Sequence, residues 1–85
     1  MSKQKMKLTK KMIQEINNKI VNLNTVLCDT EEGPIYWGFQ KGELVAGGAC
    51  NSGILPEISH EYDPTESFHT NLENFIAKAQ EHFNI

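Results

Sequence analysis

Between residues 25 and 62 the apolar positions recur every second residue, and on either side of that stretch they recur every three or four. This switch of period, helical to extended and back, restricts the fold more than any other feature. A stretch with period two buries one face of a pleated strand, and a stretch with period 3.6 buries one stripe of a helix. The chain must therefore place a sheet between two helices in sequence.

The first helical stretch is KKMIQEINNKIVNL. Ile13, Ile16, Ile20 and Leu23 form one stripe with Met12 beside it, Thr9 suits the N-cap, and Leu8 with Ile13 occupies the positions of a hydrophobic staple. Asn22 and Asn24 mark its exit. In the second, Asp63-Pro64-Thr65-Glu66 puts a carboxylate at the N-cap, proline at the first helical position and glutamate at the third. Phe68, Leu72, Phe75, Ile76, Ala79 and Phe83 then share one face, with His69, Glu73 and Gln80 turned away from it.

The extended stretch divides at its turn signals. Thr25 to Asp29 reads as a short strand, broken by Glu31-Glu32-Gly33-Pro34. Ile35, Trp37 and Phe39 alternate with Tyr36, Gly38 and Gln40, so one face of the next strand is bulky. Lys41-Gly42 suits a tight hairpin, Glu43 to Cys50 returns as a strand, and Asn51-Ser52-Gly53 turns again. From Ile54 to Tyr62 the pattern places Ile54, Ile58 and Tyr62 on one face and Leu55, Glu57 and Glu61 on the other. Pro56 marks that strand as an edge, because proline cannot donate to a ladder. The sequence thus predicts an α+β fold of two layers, α-β-β-β-α with room for a fourth short strand. The strands form an antiparallel meander, and both helices pack on one of its faces. Residues 1–8 read as a flexible lysine-rich tail and 9–85 as a single domain.

That element order is also the order of the double-stranded RNA-binding domain, which is similar in nothing else. Such a domain needs lysines at the start of its second helix to hold phosphates. Here that position carries Asp63 and Glu66, preceded by Glu57 and Glu61. All eight basic residues are lysines, five of them among the first eleven positions, and from residue 12 onward three lysines face eleven acids, a net of −8. An acidic body without arginine argues against nucleic acid as the partner. No apolar run reaches the roughly 18–20 residues of a membrane span, and the N-terminus lacks the apolar core of a secretory signal. Cys28 and Cys50 are accordingly expected as reduced thiols in the cytoplasm. The lysine- and asparagine-rich composition is compatible with a bacterial or phage accessory protein.

No catalytic motif survives inspection. Cys50, in the run AGGACNSG, would need a base such as His60 or His69, or a helix N-terminus, to become a nucleophile. It instead continues the strand pattern Leu44, Ala46, Gly48, Cys50. The glycines fit neither phosphate-loop pattern, and Cys28, Cys50, His60, His69 and His82 show no ligand spacing. No cofactor or metal is expected. His69 and Glu73, four apart, are expected to form a surface pair.

The remaining feature is shape. Tyr36 faces away from Trp37 and Phe39, beside the small Gly47 and Ala49 on an open sheet surface. The reading that follows is a small acidic, non-catalytic protein, an inhibitor or accessory factor. It would dock on a protein partner through an exposed sheet face or edge strand, using Tyr36, Gly47, Gly48 and Ala49. Glu43, Glu57 and Glu61 would flank that surface and steer it toward a basic partner. The alternative is a nucleotide-type ligand in a pocket at a homo-oligomer interface, paired through the edge strand Ile54–Tyr62. There Tyr36 would stack on the base and the backbone N–H groups near Gly47 and Gly48 would meet a phosphate. A cysteine-dependent enzyme comes third.

Overall fold

The structure is a computed structural model that describes residues 8–18, 25–51 and 53–84. Its elements run α1 (Lys10–Asn18), β1 (Val26–Thr30), β2 (Gly33–Gln40), β3 (Glu43–Cys50), β4 (Gly53–Glu61) and α2 (Phe68–Phe83). The four strands form one antiparallel sheet in sequential order, a meander. The fold is thus α+β, with the fourth strand fully formed. The expectations for residues 1–7, for Ile20, Asn22, Leu23 and Asn24, and for Ser52 in the third turn, lie outside the described residues.

Two-residue turns make the meander possible. Thr30 closes the first: its hydroxyl donates to the Gly33 carbonyl and accepts from the Glu32 amide. At the second, Lys41 and Gly42 both adopt positive φ, 52° and 79°. That pair of conformations matches the right-handed twist of the flanking strands.

One face of the sheet and both helices share the core. Ile35, Trp37, Leu44, Ala46 and Ile58 meet Met12 and Ile16 of α1 and Leu72, Phe75, Ile76 and Ala79 of α2. Cross-strand register puts Trp37 opposite Ala46 and Ala46 opposite Ile58, so the large indole is flanked by a small residue that lets α2 approach. Phe75 fills that space, its ring centroid 6.4 Å from that of Trp37. Each such fully buried side chain contributes about 1.5–3 kcal/mol from removal of its apolar surface from water. Trp37 carries a cost in return, because its buried Nε1 donor finds no acceptor among the described residues.

Helix α1 begins as its sequence predicts. The Thr9 hydroxyl accepts from the Met12 amide, and Leu8 and Ile13 pack against the core. The start of α2 differs from expectation. Asp63-Pro64-Thr65-Glu66 is a turn before the helix, closed by the Glu66 amide on the Asp63 carbonyl, and Ser67 is the N-cap, accepting from the Thr70 amide. The reason lies eight residues downstream. Buried Asn71 accepts from the Asp63 amide and donates to the Asp63 and Ser67 carbonyls, satisfying a connection that a longer helix would have absorbed. Asp63 is then free to accept from both the hydroxyl and the amide of Thr65, which lowers its pKa below the ordinary carboxylate range.

The second departure is a β-bulge in β4. Ala46 pairs with Ile58 but Gly47 pairs with Pro56, leaving Glu57 as an extra residue. Because side chains alternate, one inserted residue reverses the facing of everything beyond it. Ile58 stays on the core face, while Ile54 moves to the opposite one. The predicted sharing of a face by Ile54, Ile58 and Tyr62 therefore fails at Ile54. A similar irregularity in β1 lies between Val26 and Cys28.

Candidate functional site

The candidate site is the face of the sheet turned away from the helices. In register order its positions are Val26 and Asp29 in β1, and Pro34, Tyr36, Gly38 and Gln40 in β2. They continue with Glu43, Val45, Gly47 and Ala49 in β3, then Ile54, Pro56, Ser59 and Glu61 in β4. Tyr36 stands between Val26 and Gly47, half-buried, as the alternation predicts. Val26 is 44% exposed and Ala49 is also exposed.

Gly47 is placed differently from the open patch expected of it. It is buried, and a Cβ added there would lie 1.9 Å from the Leu55 carbonyl oxygen. Only glycine lets the bulged strand approach so closely. The bulge thus folds part of β4 over this face. Ile54, 7% exposed, leans across to Gly38, where an added Cβ would meet its Cδ1 at 2.8 Å, and Val45 lies beside them. A second, smaller apolar cluster therefore closes the centre of the outer face. Sequence reasoning missed Val26, Gly38, Val45 and Ile54. The glycine at position 47 inside a strand was the available signal, because such glycines mark bulges or close backbone approach.

The acids also divide. Glu43 and Glu61 stand directly opposite each other on the outer face. Glu57, the bulge residue, instead sits with its carboxylate 3.5 Å from His82 Nε2 at the C-terminal end of α2. Gly48 falls on the core-facing parity and does not join Tyr36. The site residues proposed from sequence thus separate into an outer group (Tyr36, Glu43, Ala49, Glu61), a buried support (Gly47), and two that lie elsewhere (Gly48, Glu57).

The two edges are unequal. On β4, Pro56 removes a donor, the bulge twists the strand, and the Lys78 ammonium donates to the Ser59 carbonyl. Since Tyr62 bonds back to Gly42, alternate residues including Ser59 turn their backbone groups to the free edge, so Lys78 occupies one of the few acceptors a pairing strand could use.

Both cysteines fall on the core-facing parity of their strands, away from Tyr36. Cys28 and Cys50 are half-buried and not joined in a disulfide. Burial first, then the neighbouring Asp29 carboxylate, push the Cys28 thiol up, away from thiolate chemistry. Cys50 ends β3, and a turn rather than a helix follows it. His60 stands opposite Leu44, six residues along the strand from Cys50 and so about 20 Å away. Among the described residues, no three His, Cys, Asp or Glu side chains come together as a metal site would require. The surface pair of His69 and Glu73 is present at 3.6 Å. None of the described helices is long and apolar enough to cross a membrane. Comparison with known protein families, curated proteins and solved structures found no match for this chain.

Proposed function

We propose that the protein is a small, acidic, non-catalytic binding protein of the cytoplasm that docks on a protein partner through the outer face of its sheet, as an inhibitor or accessory factor. One observation carries this reading. Both described helices pack on the other face, while the outer face presents Tyr36 beside exposed Val26 and Ala49 over a floor already closed by Val45 and Ile54. A floor packed from within keeps its shape without a partner, and an amphipathic ring on a preformed surface contributes contact area at low entropic cost. The β4 edge is the less favourable of the two docking routes, because of Pro56, the bulge and Lys78.

The test is affinity capture from the source cells with the native chain and with Tyr36→Ala, each followed by a thermal melt. Tyr36→Ala is expected to melt within about 0.5 kcal/mol of the parent, as surface substitutions do, yet to lose the captured protein. A variant that captures the same partner undiminished would remove the outer face from the interface.

A further inference from the structure

We infer that the segment seated on this outer face is a basic one, a lysine- or arginine-bearing stretch of a protein partner whose cation lies over Glu43 and Glu61. The inference rests on the docking reading above and adds the chemistry of the partner. Three observations carry it. The register sets Glu43 directly opposite Glu61, an arrangement of like charges that costs the isolated sheet stability. No lysine holds any outer-face position of the four strands, whose charged residues are Asp29, Glu43 and Glu61 alone. Of the described lysines, Lys10 and Lys11 lie on α1 and Lys78 on α2 against Ser59; Lys41, at the hairpin tip two residues before Glu43, forms no ion pair with either carboxylate. The ion pairs among the described residues, His69–Glu73 and His82–Glu57, leave both carboxylates out.

Charge then selects among occupants. A second copy of the chain would bring Asp29, Glu43 and Glu61 against acids of the same kind, and a polyanion would be repelled outright. A basic segment removes the like-charge cost as it binds. Its geometry is also constrained, because Glu43 and Tyr36's neighbour Gly47 are four residues apart on β3, about 13 Å. The partner must carry a cation about that far from the apolar group that meets Tyr36.

The experiment titrates a short oligolysine peptide onto the full isotope-labelled chain at low ionic strength and follows the backbone amides by NMR. Shifts are expected at Tyr36, Gly38, Glu43, Val45 and Glu61. E43Q/E61Q should weaken binding about tenfold, as the loss of two surface charge contacts implies. E73Q/E81Q, the same change of charge on α2, should weaken it less than about twofold. Equal weakening by both pairs, or shifts confined to the helices, overturns the inference. So does a chain lacking residues 1–7 that binds markedly tighter, since the lysine segment of the chain itself would then be the occupant. If oligolysine ignores the outer face while Tyr36→Ala still abolishes partner capture, the basic partner is wrong and the docking surface stands. If Tyr36→Ala has no effect either, both fall.

Discussion

The two faces of the sheet solve the same problem by opposite means. The inner face carries large side chains, Trp37, Leu44 and Ile58, and is closed by two helices brought from elsewhere in the chain. The outer face carries small ones, Gly38, Gly47 and Ala49, and is closed in part by the sheet's own edge strand folding inward at a bulge. The first arrangement needs long-range packing. The second needs a strand irregularity and two glycines. What the difference teaches is that an uncovered face need not be an unfinished one, and that its shape can be set before any partner arrives.

The largest expected effect tests the helical side. Phe75→Ala removes the ring that meets Trp37 and should cost about 3–5 kcal/mol in denaturant unfolding, as large core truncations do. Ile54→Ala tests the self-closed side and should cost about 2–3 kcal/mol, the low end for such truncations, because solvent can enter from one side. An unchanged midpoint for Ile54→Ala would mean that β4 does not close the outer face, and the comparison would collapse. Gly47→Ala should cost about 1–3 kcal/mol by forcing the bulge backbone away. Its distinguishing sign is altered amide shifts from Leu55 to Glu57 while the Trp37 environment stays native.

The smallest effect concerns the connection between β4 and α2. The Asp63 pKa is lowered by the Thr65 hydroxyl, then by the Thr65 amide. A carboxylate with a depressed folded pKa contributes stability that is present above its unfolded value, about 3.9, and is lost as pH falls through the folded one. Asp63→Asn should therefore lower stability slightly at neutral pH, where the charged form contributes, and flatten the acid limb below that value, so that variant and parent converge as the pH falls. An acid limb identical to the parent's would show that the turn does not hold the charged form.

Much of this architecture was legible in the sequence, and the parts that were not share a cause. Period and turn chemistry are local, so the strands, the Lys41-Gly42 hairpin, the Thr9 cap and the apolar face of α2 could be read directly. The start of α2 could not, because Asp63-Pro64-Thr65-Glu66 has the same local chemistry as a helix start and as a turn. The deciding group, Asn71, acts across eight residues. Ser67 three before Thr70 was a competing cap signal in plain view. At the candidate site, Tyr36 was placed by alternation alone. The bulge at Glu57 was invisible to alternation, since a pattern of period two contains no mark of where it slips. The burial of Gly47 and the reversal of Ile54 followed from that one residue.

The meander and the helices also differ in when they can form. Each strand pairs with the next in sequence, so the sheet is assembled from contacts close along the chain and can pair early. The core cannot close on that schedule, because Met12 and Ile16 must meet Leu72, Phe75 and Ile76 over the sheet. During synthesis the strands emerge long before α2 does, and Trp37 and Leu44 stay wet until it arrives. The inner face of the sheet is therefore open to chaperones, proteases and its own neighbours for as long as α2 takes to be made.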